Sequence, residues 1–192
     1  MSNLDKNDFY IIAEIGHNHQ GSLEKAKELF NEAKKAGANA VKLQKRDNKY
    51  LYTKDFYNTL YDNPNSYGRT YGEHREALEF NKEQYLSLIK HAKNIDIDFF
   101  ATPFDFKSVD FLEDLNMPFY KIASADLTNI PLQEYIAKTN KPIILSTGGG
   151  SFEDVQRAVD NILKINKNLT VLHCTAAYPA PIEDMNLAVI SK

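Results

Sequence analysis

The stretch PIILSTGGGSFEDVQRAVDNILKINKNLTVLHC, from Pro142 to Cys174, decides the fold. Pro142 to Leu145 is a short apolar run with no polar alternation, the pattern of a strand buried on both faces. Ser146 and Thr147 then lead into three glycines. Ser151 stands where a helix N-cap belongs, and Val155, Ala158, Val159, Ile162 and Leu163 fall on one helical face of a segment reaching Ile165. Leu169 to His173 is again an apolar run. Strand, helix, strand at this spacing is a unit that joins two parallel strands through a crossover helix.

The same cycle recurs along the chain. Phe9 to Ile15 reads as the first strand. Ser22 caps a helix whose face is Leu23, Ala26, Leu29, Phe30 and Ala33, and Gly37 closes it. Ala40 to Leu43 is the second strand, Ile97 to Ala101 the third and Phe119 to Ala123 the fourth. Helices are expected from about Lys82 to Lys93, near Ser108 to Leu115, and from Pro131 to Ala137, opened by its proline. A sixth helix is expected to begin around Glu183. Such strands predict a parallel sheet covered on both faces. Six βα units suit a doubly wound sheet or six-eighths of a barrel, and composition alone leaves both open. No GxGxxG follows any strand, which weighs against dinucleotide binding. One interruption breaks the rhythm. Lys45 to Phe80 is too long for a βα connection and rich in aromatics (Tyr50, Tyr52, Phe56, Tyr57, Tyr61, Tyr67, Tyr71), so it reads as a lid, a cover for a partner, or an ordered flap without chemistry.

Bulk properties narrow the class. The 192 residues, 43% hydrophobic and 26% charged, are enough for a packed domain and too apolar for a disordered tail. A net charge of -3 lacks the strongly basic balance of a nucleic-acid binder. One cysteine, Cys174, rules out an internal disulfide framework and fits a reducing compartment. The N-terminus carries no secretory pattern, and no apolar run is long enough to span a membrane. These features predict a cytoplasmic protein.

Ligands of parallel α/β folds sit beyond the carboxyl ends of the strands. Those positions carry Glu14, His17, Asn18 and His19; Lys42 and Gln44; Thr102 and Asp105; Lys121, Ser124 and Asp126; Ser146 and Thr147; and His173, Thr175 and Tyr178. Two strand lysines among hydroxyls suit phosphate or carboxylate, and the Gly148-Gly149-Gly150 turn offers backbone N–H donors. The plain alternatives are ion pairing for either lysine and ordinary turn geometry for the glycines. Glu14, closing the run Ile11-Ile12-Ala13, either pairs with a lysine or handles a ligand or proton. His17 and His19 have the look of a metal pair, a weak signal at this spacing. His91 reads as surface and His173 as a satisfied core histidine.

At these positions the sequence resembles the sialic acid synthase family. The segments that carry the resemblance are IIAEIGHNHQG (Ile11 to Gly21), AVKLQK (Ala40 to Lys45), RTYGEHREALEF (Arg69 to Phe80), FFATPFD (Phe99 to Asp105), PFYKIASAD (Pro118 to Asp126), PIILSTGG (Pro142 to Gly149) and LHCTAAYPAPIEDMNL (Leu172 to Leu187). The YGEHREALEF stretch looks more like N-acetylneuraminate synthases than like pseudaminic or legionaminic acid synthases.

The resemblance implies an α/β fold, a (β/α)₈ TIM barrel of which about six βα units are present in residues 1–192. It implies condensation of phosphoenolpyruvate with N-acetylmannosamine, or its 6-phosphate, to N-acetylneuraminate and phosphate. Lys42, Thr102, Lys121, Ser124 and Ser146 would hold phosphoenolpyruvate; Glu14, Gln44, Asp126 and Tyr178 would lie near the sugar and the reacting carbons. Of the carboxylates there, Glu14 or Asp126 is the catalytic candidate for handling the proton of the attacking water. Asp126 stands where some members have glutamate, and Ala176 where some have asparagine or serine. The resemblance places the family's two metal-binding histidines beyond Lys192, so no metal ligand is expected within this chain. The family's antifreeze-like domain, which crosses a homodimer, likewise matches nothing here. A divalent cation (Mn²⁺ or Mg²⁺) and a homodimer are therefore expected only of a full-length protein, and the 192 residues alone are expected to be inactive or nearly so. A related nonulosonate synthase, another barrel transferase or aldolase, and a non-catalytic fragment remain the alternatives.

Overall fold

The computed structural model describes residues 9–191. Six strands, β1 (Ile12–Gly16), β2 (Ala40–Lys45), β3 (Asp98–Pro103), β4 (Tyr120–Ile122), β5 (Ile143–Ser146) and β6 (Leu169–Leu172), form one sheet in sequence order. Every neighbouring pair is parallel. A doubly wound sheet would reverse its order at a switch point; this one does not. It is a curled α/β sheet, the incomplete (β/α)₈ barrel expected from the resemblance. Among the described residues, β1 and β6 each pair on one side only.

The two faces of the sheet differ. The outer face carries Val41 and Leu43 of β2, Phe99 and Ala101 of β3, and Ile143 and Leu145 of β5. They pack against Phe30 of α1 (Leu23–Lys35), Leu88 of α5 (Lys82–Asn94), Leu112 of α6 (Phe106–Asp114), Ile136 of α7 (Ile130–Ala137) and Ile162 of α8 (Phe152–Leu163). Phe30 is completely buried, and burial of such a side chain contributes about 1.5–3 kcal/mol. The inner face holds a smaller cluster, Ala40, Phe100, Phe119 and Ile144 with Tyr10, Ile12 and Leu172. Helices thus cover one face rather than the two expected of apolar strands; the inner side chains are apolar because they meet one another across the curl.

Local chemistry sets the helix ends. Ser22 caps α1, Asp105 caps α6 and Asn129 caps α7, each accepting a backbone N–H with its side chain. Asn81 with Gln84 and Ser151 with Asp154 form capping boxes at α5 and α8. The sixth helix expected near Glu183 is absent from the described residues. The segment instead makes 3₁₀ turns at Ile182–Asp184 and Leu187–Ser191, because Asn186 between them takes a left-handed φ of 43° that stops α-helical propagation. The first strand begins at Ile12 rather than Phe9, whose side chain is largely exposed.

The long interruption is an ordered flap. It holds α2 (Asn48–Leu51), α3 (Lys54–Tyr57) and α4 (Tyr71–Glu76), with an isolated bridge between Leu60 and Thr70. Tyr71 meets Tyr52, Phe56 and Tyr61 at centroid distances of 5.2, 4.8 and 5.5 Å, so the aromatics pack mainly on each other. Gly21 brings the flap against the loop after β1. Its φ is +75°, and a Cβ there would lie 2.2 Å from the Ala77 carbonyl oxygen, whereas at Gly37 (φ +88°) a Cβ would meet nothing within 4 Å. Gly37→Ala should therefore cost about 1 kcal/mol through backbone strain alone, and Gly21→Ala about 3 kcal/mol or more. Urea unfolding of the two variants checks this; equal losses would contradict the close approach at Gly21.

Candidate functional site

Successive side chains on one face of a strand are two residues apart. Two residues beyond the inner apolar cluster, each strand presents a polar group: Glu14 after Ile12, Lys42 after Ala40, Thr102 after Phe100, Lys121 after Phe119, Ser146 after Ile144 and Cys174 after Leu172. The inner face is therefore an apolar floor with a polar layer on its C-terminal side. Stacked layers of inward side chains are the construction expected of barrel interiors.

Lys42 is the centre of that layer. It is 3% exposed, ion-paired with Glu14, and donates to Thr102 Oγ1 at 2.9 Å. Burial pushes its ammonium down to about 8, against the pull of the Glu14 carboxylate. Lys121 is held below the usual lysine range by burial, with Glu14 and Cys174 acting in the opposite sense. Glu14 therefore acts electrostatically on both lysines, while its own side chain stays 49% exposed. A half-open carboxylate balancing one buried and one half-buried cation is an arrangement that can take up an anion.

The rim above is tightly built. Ser124, in the 3₁₀ turn Ser124–Asp126, accepts the Gly148 N–H on its Oγ at 3.0 Å. A Cβ at Gly148 would come within 3.1 Å of that oxygen and 3.2 Å of Ala176, so close approach explains this glycine. The Gly148 N–H is thus already engaged, and the turn is a brace for Ser124 more than an open cradle. Asp126 accepts from Asn129 Nδ2 at 3.0 Å on one oxygen, while the other is buried without a partner. Burial raises the Asp126 carboxyl, and its neighbour Asp105 adds to the rise. Gln44 and Glu14 flank Gly16, which places both on the mouth. Ser146 is buried at the end of β5. Tyr178 does not join the group: it is 98% exposed.

Other candidates prove structural. His19 stacks on Phe80 at 4.2 Å and accepts the Gly21 N–H at 3.1 Å, and burial lowers it to about 4. His17 accepts from Arg75 Nη1 at 3.3 Å and turns Nε2 toward Glu79, 3.6 Å away. Both histidines thus tie the loop after β1 to the flap and its exit. Among the described residues, no three of His, Cys, Asp or Glu gather as a metal site. Lys192, beyond which the resemblance places the family's metal ligands, itself lies outside the described residues. Asp105 caps α6 and accepts the Asp47 N–H. His91 shares a hydrogen bond with Asn31, so it is not plain surface, and His173 reaches the Met185 carbonyl at 2.5 Å, as a satisfied histidine should.

Three charged groups lie outside the set read from the strand ends. Glu79 is nearly buried; burial alone would raise it, but the close approach of His17 at 3.6 Å and the ammonium of Lys45, 2.9 Å away, hold it below the usual carboxylate range. Arg46 is 8% exposed and lies flat on Phe104, 3.6 Å from the ring centre. Arg75 reaches the Tyr71 hydroxyl from Nε and Nη2 at 3.0 and 2.8 Å. The sequence signal for Arg46 is its parity with Lys42 and Gln44. That signal is masked because the apolar run ends at Leu43, two residues before the strand does. A cavity of about 630 Å³, lined by Tyr10, Asn39, Asp98 and Pro118 among others, opens at the opposite end of the strands. That end serves stability in this architecture, and the converging polar groups lie away from it.

Comparison with known proteins identifies the family. The NeuB family model matches residues 29–192. The N-acetylneuraminate-9-phosphate synthase of Drosophila melanogaster is 44% identical over 183 residues, 95% of this chain and 49% of the relative. The human protein of the same name is 40% identical over 183 residues, 95% of this chain and 51% of its own length. The crystal structure of N-acetylneuraminic acid (sialic acid) synthetase from Leptospira borgpetersenii, in complex with citrate, superposes with a TM-score of 0.84 at 32% identity, covering all of this chain and 64% of that one. The chain thus spans about half the length of the curated relatives it matches. With a family model matching most of its length, the chain belongs to the NeuB family.

Proposed function

We propose that the protein condenses phosphoenolpyruvate with an N-acylated amino sugar, N-acetylmannosamine or its 6-phosphate, giving the nonulosonic acid or its phosphate and inorganic phosphate. The observation that carries this reading is the convergence of Lys42 and Lys121, from two strands, around the single carboxylate of Glu14. Two cations balanced by one acid leave room for the carboxylate and phosphate of an enol phosphate. Thr102, Ser124 and Ser146 line the same rim and would complete its hold.

The chemistry follows from that placement. C3 of the enol phosphate attacks the aldehyde carbon of the open-chain sugar, forming the carbon–carbon bond; the aldehyde oxygen takes a proton, and positive charge develops at C2. Water adds to C2 and gives up a proton; the C2–O bond to phosphate then breaks as the new hydroxyl becomes the C2 carbonyl, its proton leaving with the phosphate. The chain's part is positioning and electrostatics. When the substrate anion takes over Lys42, Glu14 is released from its ion pair and is free to accept the water's proton. Asp126, with a raised carboxyl and one buried unpartnered oxygen, suits the complementary transfer to the aldehyde oxygen. Gln44, beside Glu14, would bind sugar hydroxyls. Tyr178 would do so only with a shift of its segment, since it is fully turned to solvent here.

A divalent cation, Mn²⁺ or Mg²⁺, and a cytoplasmic homodimer belong to the proposal through the family resemblance. The described residues do not make a metal site by themselves, and no step above is routed through one. Turnover is proposed for the full-length protein.

Glu14→Gln in that protein should lower kcat by about 10²–10⁴-fold, measured as phosphate release, with the fold intact; near-normal turnover would remove Glu14 from the mechanism. Binding should also depend on pH in a defined sense. Lys42 titrates near 8, so its charge is present below that pH and lost above it. Phosphoenolpyruvate is fully ionised throughout this range, so its affinity should fall by up to about tenfold per pH unit above 8. Calorimetric titrations from pH 7 to 10 test this. Lys42→Met should bind weakly and without that slope, and a flat wild-type profile would contradict the role of Lys42.

A further inference from the structure

Beyond the phosphoenolpyruvate layer, the mouth holds more positive charge than that substrate needs. Arg46 continues the inward parity of Lys42 and Gln44, four residues beyond Lys42, or about 13 Å of extended backbone. Its guanidinium is fixed against Phe104 and nearly buried, yet Nη1 has no hydrogen-bond partner among the described residues. Arg75 descends from the flap to the same place, held over Tyr71 and against His17. Repulsion by Arg75 is the foremost charge effect on Arg46. The nearby acids do not cancel the pair. Glu79 acts on Arg46 from a distance but is engaged with Lys45 and faces His17, and among the described residues no ion pair joins Arg46 to Asp126, whose carboxyl feels the Arg46 charge. Buried guanidinium groups are ordinarily paired. A buried guanidinium with a free donor, beside the half-buried guanidinium of Arg75, is prepared for an anion.

Which anion follows from the geometry of the proposed reaction, on which this inference rests. The aldehyde must face the enol phosphate in the lysine layer, so the far end of the acceptor's carbon chain points outward, toward Arg46 and the flap. We propose that Arg46 and Arg75 form a second anion subsite, which takes a phosphate on the terminal carbon of the acceptor sugar and makes the phosphorylated N-acylmannosamine the preferred substrate. The planar fork of arginine matches phosphate oxygens, and its rigid seat on Phe104 reduces the ordering cost of binding. The flap, which supplies Arg75, thereby becomes part of substrate selection instead of a passive cover.

The test compares N-acetylmannosamine with its 6-phosphate in the full-length protein, using phosphate release from phosphoenolpyruvate as the readout. The wild type should favour the phosphorylated sugar in kcat/KM by about 100-fold or more, because a polar site left unfilled rejects the analogue lacking the group. Arg46→Ala should shrink that ratio by about 10-fold or more, chiefly through KM for the phosphosugar, and Arg75→Gln should shrink it as well. Arg46→Lys, which keeps the charge and the stem, should retain part of the preference, which a mere loss of packing would not allow. A wild-type ratio near one, or a ratio unchanged in Arg46→Ala, overturns the subsite while leaving the synthase reading intact. Turnover of neither sugar by the wild type overturns both.

Discussion

A lysine ammonium on the inner face of a parallel sheet, almost without access to water, is the constraint around which the rest of the structure is arranged. Lys42 stays charged at neutral pH because Glu14 on the neighbouring strand and the Thr102 hydroxyl compensate part of what burial removes. The compensation is incomplete, and the depressed ammonium is the measure of it. Everything that defines the mouth is placed relative to this pair. The parallel register sets Glu14 opposite Lys42, the next strands add Thr102 and Lys121, and the apolar floor of Phe100, Phe119 and Ile144 keeps water from reaching them from below.

The flap answers to the same electrostatics. Its aromatic cluster lets a polar, loop-rich segment hold a shape, and its attachments to the barrel are mostly charged: Arg75 to His17, and at its exit Glu79 to both His17 and Lys45. Gly21 permits the contact by removing the side chain that would otherwise strike the Ala77 carbonyl. Motion of the flap would therefore disturb the histidine loop after β1 and, through it, the strand that carries Glu14. Under the proposed function, that coupling would give a physical route from an acceptor at the flap to the groups below.

Much of this is legible in the residues. Continuous apolar runs mark all six strands and period-3.6 patterns the long helices, and Ser22, Ser151 and Pro131 mark helix starts, because these signals are local. The polar strand ends, and with them Glu14, Lys42, Thr102, Lys121, Ser124, Asp126 and Ser146, follow from the rule that ligands gather beyond parallel strands. What escapes depends on tertiary context. The short flap helices are stabilised by aromatic contacts spread over the segment, not by a periodic face. The strand leading to Arg46 runs two residues further than its apolar run, since the ladder to β3 holds Gln44 and Lys45 in place. Tyr178 reads as a rim residue by position, yet its segment turns outward, and the helix anticipated after it is interrupted at Asn186.

The account stands on the claim that lysines from two different strands grip one substrate anion. Titration of phosphoenolpyruvate into the full-length protein and its Lys42→Met, Lys121→Met and double variants measures this directly. The account predicts that each single substitution weakens binding by at least about tenfold, and that the double variant loses less than the two effects combined, because both side chains act on the same ligand. Full affinity in Lys121→Met, or strictly additive losses, would contradict it.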